Sequence, residues 1–231
     1  VDDLMTVSAN GIQIACRVTG TVSAPPLVLL HGLELDSTSW AEVAASLSGS
    51  WHIFAPDLRG HGLSEAPGDY SFELMRDDVL GLLDVLGLER VTLIGHSMGA
   101  FVSYLVAEER PELVVRMVLE EPPPPLPAEP PREVPESPDE PASYDWEVLR
   151  GINSERNDPD PVWFDRLIKI TCPTLVIAGG LDSHLPQDEI AAMADRIPDG
   201  ELVTVPAGHE VHKDDLPGFL KVLGTFLYRA G

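Results

Sequence analysis

Gly95-His96-Ser97-Met98-Gly99 is the stretch of this 231-residue chain whose residue types and spacing best suit chemistry. A serine hydroxyl is a poor nucleophile at neutral pH and needs a base within hydrogen-bond reach. Here it sits between an apolar run, "VTLI", and a helical pattern, "AFVSYLVAEE", so it falls on a tight strand-to-helix turn. Such a turn strains the backbone and demands small neighbours two positions away, which Gly95 and Gly99 supply. The start of the following helix adds N–H groups that favour negative charge beside the hydroxyl. Histidine is the side chain that works as a base near neutral pH. His209, in "VPAGHEVH", follows the last strand-like run, and Gly208 permits a close loop there. His212 competes, but it lies toward the final helix and is expected to be structural. A carboxylate must then fix the histidine tautomer and stabilise its protonated form. Asp182, just past "PTLVIAG", is the preferred acid, because it sits at a carboxyl end of the sheet, where ligands bind in such folds. Glu120 and Glu121, closing the preceding strand-like run, are the alternatives.

These side chains need elements to hold them at one edge. "IQIACRV" (12–18) alternates like a half-exposed strand. "LVLLH" (27–31), "VTLIG" (91–95), "VVRMVLE" (114–120) and "PTLVIAG" (173–179) are continuous apolar runs, as in strands buried on both faces. "WHIFAPD" (51–57) and "ELVTVP" (201–206) complete the set. Between them lie helical patterns: "STSWAEVAASL", with Asp36 or Ser37 as N-cap, "SFELMRDDVLGLLDVLG", stopped by Gly87, "MGAFVSYLVAEERP", "PQDEIAAMADRIPDG" and "DDLPGFLKVLGTFLYRA". Strands alternating with helices predict an α/β fold, a mostly parallel sheet with helices on both faces. The acidic, proline-rich "LEEPPPPLPAEPPREVPESPDEP" (119–141) interrupts this order. Residues 171–231 beyond it hold two strands and two helices, too little to close a separate core. The expectation is one domain over 1–231, with an insertion at about 121–170 that carries helices at "YDWEVLRGINSER" and "DPVWFDRLIK".

Composition narrows the classes. With 38 acidic and 15 basic residues the formal charge is −23, spread along the chain. Such a surface repels nucleic acid and anionic membranes, so the expected partner is a small-molecule substrate, with no nucleic acid and no membrane. No apolar run approaches the ~20 residues of a membrane span. "VDDLMTVSANG" has neither the basic nor the apolar part of a secretory signal, and a cytoplasmic location is expected. Cys16 and Cys172 are far apart and read as two buried thiols. No Cys/His cluster is present, so no metal is expected. Nothing here fixes an oligomeric state.

Five ordered motifs resemble the α/β-hydrolase family over roughly residues 7–227: "LLHGLELDSTSW", "PDLRGHGLS", "GHSMG", "AGGLDSHLP" and "PAGHEVH". The resemblance implies a central sheet of about eight strands and a small proline-rich cap. It implies a nucleophile elbow at Ser97 and a triad in the chain order Ser97, Asp182, His209. Some relatives place the acid where Glu120 and Glu121 stand. The oxyanion donors would be the backbone N–H groups of Met98 and, in "HGL", Leu33. His31 would brace that loop, while Glu34 and Asp36 depart from its usual small neutral residues and are expected to face solvent. "DLRGHG" is expected to be a loop held by charge-assisted hydrogen bonds. Trp146, Trp163 and Phe164 are candidate lid or pocket residues. The implied function is hydrolysis of a carboxylic ester or lactone with a small-to-medium, partly apolar substrate, through an acyl-Ser97 intermediate and without a cofactor. The alternatives are C–C bond hydrolysis, lyase or perhydrolase chemistry by the same triad, or non-catalytic small-molecule binding on the same fold. An aspartate nucleophile would indicate a dehalogenase or epoxide hydrolase, and Ser97 argues against both.

Overall fold

The apolar runs become strands at β1 (Asp3–Ala9), β2 (Ile12–Gly20), β3 (Pro26–Leu30), β4 (His52–Pro56), β5 (Val91–His96), β6 (Val114–Glu120), β7 (Thr174–Ala178) and β8 (Gly200–Thr204). The structure, a computed structural model, describes residues 3–134, 136 and 142–229. One sheet results, in the order β1-β2-β4-β3-β5-β6-β7-β8. β1–β2 and β2–β4 pair antiparallel, and every later pair is parallel. β1 is not among the strand-like runs of the sequence. Its apolar residues are few, and its first residues are exposed at the sheet edge.

Helices fill the crossovers: α1 (Ala41–Leu47), α2 (Phe72–Leu86), α3 (Met98–Glu109), α4 (Glu147–Asn157), α5 (Pro161–Arg166), α6 (Gln187–Arg196), α7 (Val211–Asp214) and α8 (Leu216–Leu227). Their ends follow the sequence. Ser71 caps α2 by accepting from the Leu74 N–H, and Gly87 closes it in a left-handed conformation at φ 66°. Asp36 caps a 3-10 turn at Ser37–Trp40 that leads into α1. Such caps contribute about 1 kcal/mol each.

Two apolar layers sandwich the sheet, and adjacent residues of one strand enter different layers. Val28 and Leu30 join Phe72, Phe101 and Trp163 on one side, whereas Leu27 and Leu29 join Trp40, Phe219 and Leu223 on the other. This is why β3 and β5 read as continuous apolar runs: both of their faces are covered. α3 is buried along nearly its whole length, and Phe101 stacks on Phe72 of α2 with ring centroids 3.8 Å apart.

Parallel register aligns the strand ends. Leu30 stands opposite Gly95, His96 opposite Glu120, Glu120 opposite Ile177, and Ala178 opposite Thr204. The loops leaving β3, β5, β6, β7 and β8 therefore emerge along a single edge. α4, α5 and a 3-10 turn at Leu167–Lys169 lie between β6 and β7. The described part of the proline-rich stretch is tied to α4, through the Ala128 N–H on the Arg156 carbonyl and the Arg132 N–H on Asn157. Pro135 and residues 137–141 of that stretch lie outside the described residues. No helix among the described residues is long and apolar enough to cross a membrane.

Candidate active site

Ser97 stands between β5 and α3 at φ 50° and ψ −114°, a conformation that an L-residue rarely adopts. Its glycine neighbours are required by contact. A Cβ on Gly95 would come within 2.4 Å of the Gly99 carbonyl oxygen, and one on Gly99 within 2.2 Å of the Leu30 carbonyl oxygen. The turn is anchored by the Ser97 N–H, which donates to the Glu120 carbonyl at 2.9 Å. Ser97 is buried except for the face it presents to a cavity of ≈ 220 Å³.

His209 reaches that hydroxyl. Its Nε2 lies 2.9 Å from Ser97 Oγ, and its Nδ1 lies 3.1 Å from Oε2 of Glu121. The fully buried Glu121 carboxylate faces Nδ1, so the proton belongs on Nδ1 and Nε2 is left to accept from Ser97. Burial pushes the Glu121 carboxyl group up. Hydrogen bonds from His209, Ser183, the Gly179 N–H and Gln187 outweigh this and hold it below the ordinary glutamate range.

The preferred acid is thereby corrected. Asp182 is exposed, and among the described residues it forms no hydrogen bond to His209, whereas Glu121 does. The cause is backbone geometry at two strand ends. Glu121 adopts φ 47° immediately after β6, which turns its side chain across the end of β7. Gly179 admits it there, since a Cβ on that residue would lie 3.1 Å from Glu121 Cδ and 1.9 Å from the Gly208 carbonyl oxygen. Gly180, at φ 79°, turns the chain that leads to Asp182. Glu120, the other alternative, faces the opposite way. Its carboxylate accepts from the backbone N–H and from Nδ1 of His212 at 2.8 and 2.9 Å, and the imidazole stacks on Trp40. His212 is thus a buried brace, 2% exposed.

Leu33 and Met98 line the same cavity as Ser97, and among the described residues neither N–H has a hydrogen-bond partner. Gly32 brings the first loop close, with its Cβ position 3.4 Å from Ser97 Cβ. His31 braces that loop: its Nε2 accepts from the Leu58 N–H at 2.9 Å and its Nδ1 donates to the Gly32 carbonyl at 2.8 Å. Asp36 caps the 3-10 turn, but Glu34, although exposed, borders the cavity, contrary to the expectation that it faces only solvent. In "DLRGHG", Arg59 grips Asp78 through two hydrogen bonds of 2.5 and 2.6 Å, and Asp57 accepts from the Ser37 and Leu63 N–H groups. That loop is structural.

The aromatic lid candidates are elsewhere. Trp163 is buried against Phe101 and Phe72, Trp146 stacks on Tyr144, and Phe164 packs on the main core beneath Arg196. None of the three lines the cavity at Ser97. α5 lies back on the core, so Trp163 fills the protein interior and Phe164 packs at its margin. The cavity takes its apolar wall from Leu33, Leu35, Phe72, Met98, Pro123 and Ile152 instead.

Several contributors were not visible from sequence. His96 holds the His209 loop by donating from Nε2 to the His209 carbonyl at 2.9 Å, and burial pushes its pKa down to about 3, so it remains neutral. The "GHSMG" string contains it but gives no hint of that contact. Ser183 and Gln187 orient Glu121. Arg132, Arg156 and His184 also line the cavity. Among the described residues no group of three His, Cys, Asp or Glu side chains is placed to hold a metal, and both cysteines are free and buried.

A chain of carboxylate, imidazole and serine on a strand-to-helix turn, at the carboxyl edge of a mostly parallel eight-stranded sheet, defines a class of fold. This chain belongs to the α/β-hydrolase fold family, whose model matches residues 25–146. An uncharacterized protein of Mycobacterium tuberculosis is 41% identical over 113 residues, a match that spans 48% of this chain and 33% of that protein. The matched stretch therefore spans about a third of that relative's length. Among solved structures, a thermophilic esterase of Thermogutta terrifontis superposes with a TM-score of 0.84 at 26% identity, covering 97% of this chain and 98% of the other. The enol-lactonase of Burkholderia xenovorans superposes with a TM-score of 0.86 at 25% identity, covering 97% and 100%.

Proposed function

We propose that this chain hydrolyses a carboxylic ester or lactone of a small molecule through an acyl-Ser97 intermediate, with His209 as base and then acid and Glu121 as the orienting carboxylate. The observation that carries the reading is the continuous hydrogen-bond path Glu121–His209–Ser97 ending at the cavity. Ser97 Oγ attacks the carbonyl carbon while its proton passes to His209 Nε2, and the resulting imidazolium is stabilised by the Glu121 carboxylate. The tetrahedral oxyanion is met by the free N–H groups of Leu33 and Met98. Collapse expels the alcohol oxygen, which takes the proton from His209. A water molecule, deprotonated by His209, then attacks the acyl carbon and releases acid and free Ser97. An esterase and an enol-lactonase among the structural relatives support this choice of bond. The ≈ 220 Å³ cavity with its apolar wall supports a small substrate.

A serine-reactive fluorophosphonate tests the reading. Stoichiometric labelling of Ser97 in folded wild-type protein, absent in Ser97→Ala and strongly slowed in His209→Ala, is the expected result. Folded protein that takes up no label at Ser97 would overturn it.

A further inference from the structure

At least six of the twelve arginines of this acidic chain hold a carboxylate. Arg59, Arg76, Arg110, Arg150, Arg196 and Arg229 each pair with an aspartate or glutamate. Arg132 and Arg156 do not, although acidic residues outnumber basic ones 38 to 15. Among the described residues neither guanidinium forms an ion pair or a hydrogen bond. Both are partly buried, and both line the cavity that contains Ser97 and His209. They also line the adjoining outer cavity of ≈ 490 Å³ beneath the proline-rich stretch.

The two cations lie close enough to oppose one another. Burial, followed by the charge of Arg132, pushes Arg156 down to about 9, and burial lowers Arg132 as well. Burial and then the neighbouring His209, Arg132 and Arg156 push His184 down to about 4, so it stands neutral between them and the catalytic histidine. Among the described residues, the carboxylates that border these cavities pair with neither guanidinium. Glu210 is paired with Lys213, Glu34 borders the oxyanion side beside Tyr144, and Glu129 and Glu189 line only the outer cavity. Two half-desolvated guanidinium groups without a counter-charge are unfavourable unless a ligand supplies one, and the planar fork of arginine suits a carboxylate.

We infer that Arg132 and Arg156 form a subsite for a carboxylate on the substrate, so that the bond cleaved at Ser97 belongs to a short ester or lactone that is itself an anion. This inference rests on the serine-hydrolase reading and narrows its substrate class. The prolines around Arg132 give it a stiff backbone, which limits the entropy lost when the guanidinium closes on the ligand. The ≈ 220 Å³ cavity that both arginines share with Ser97 suits a short separation between the reacting carbonyl and the carboxylate.

Monoethyl glutarate and ethyl pentanoate have acyl chains of equal carbon number and differ in the terminal carboxylate. Ethanol release measured for both should give wild-type protein about a tenfold or greater advantage in kcat/KM for the anion, shrinking as salt is added. That ratio should fall toward one in the Arg132→Gln/Arg156→Gln double variant and be partly kept in Arg156→Lys. A readout without turnover accompanies it: glutarate should slow fluorophosphonate labelling of wild-type Ser97 and lose that effect in the double variant. If the glutamine variant does not fold, the wild-type ratio, its salt dependence and Arg156→Lys decide. Ester hydrolysis or Ser97 labelling with no preference for the anion and no protection by glutarate overturns the carboxylate subsite alone. Absence of both hydrolysis and labelling overturns the serine-hydrolase reading and this inference with it.

Discussion

At the scale of single residues, the acid is the point at issue. Glu121 carries four hydrogen bonds on a fully buried carboxylate, while Asp182 sits in the open one strand away. A carboxylate that sets the histidine tautomer is worth on the order of 10⁴-fold in kcat. Glu121→Gln is therefore expected to lower kcat by about 10³–10⁴-fold, whereas Asp182→Asn should change it little. Steady-state hydrolysis of a single activated ester by the two purified variants measures this. The reverse ranking would return the role to Asp182. Ser97 and His209 were legible from sequence because their signals are local: a strained turn between flanking glycines, and a histidine in a loop after the final strand. The acid was not, because three carboxylates satisfy the same local description. Only the φ of 47° at Glu121 and the absence of a side chain at Gly179 decide which one reaches the imidazole.

At the scale of elements, the β5–α3 turn does the positioning. Its tolerances are set by backbone atoms, which cannot move aside as a flexible side chain could. The Cβ of Gly99→Ala would meet the Leu30 carbonyl at 2.2 Å and force β3 away from α3. Overpacking of this kind costs roughly 1–3 kcal/mol. Because the displaced strand leads into the Leu33 loop, the same change should lower the rate of fluorophosphonate labelling at Ser97. Thermal unfolding and the labelling rate, measured on one preparation, should both decline. Normal labelling in a fully stable Gly99→Ala protein would show that the turn has slack. The helices and buried strands were readable because α3, β3 and β5 are packed on all sides and their apolar residues are unbroken. β1 lay below that signal, as its edge position leaves few of its side chains covered. Trp146, Trp163 and Phe164 of the insertion looked equally suited to a lid or a core, and only the packing of Trp163 on Phe101 placed α5 against the body of the protein.

At the scale of the whole molecule, the surplus of acid reaches the interior. Glu108 on α3 is 7% exposed, and among the described residues neither of its carboxylate oxygens has a hydrogen-bond partner. Burial, partly offset by the charges of Arg166, Lys169 and Arg76, pushes its pKa up to about 8. Between the ordinary value of 4.5 and about 8 the folded chain therefore holds a proton that the unfolded chain has released. Stability must then fall as pH rises through that window. Glu155, pushed up to about 7 chiefly by burial, adds to the same slope. Glu108→Gln removes the larger contribution. Its stability relative to wild type should be greater at pH 8.5 than at pH 5, by an amount on the order of 1–3 kcal/mol. Urea unfolding of both proteins at the two pH values checks this, and parallel pH profiles would refute it.

The sequence by itself determined the alternation of buried strands and helices, the strained serine turn and the histidine loop, because each is written in residues adjacent along the chain. The tertiary structure decided what depends on residues meeting across it. Register between β5, β6 and β7 brought Glu121 rather than Asp182 to His209, and the fold of the insertion turned Trp163 inward. The same insertion set two arginines, unpaired among the described residues, in the cavity of Ser97. Those outcomes rest on side-chain reach, backbone sign at single positions and the desolvation of charge, none of which is a property of a segment read alone.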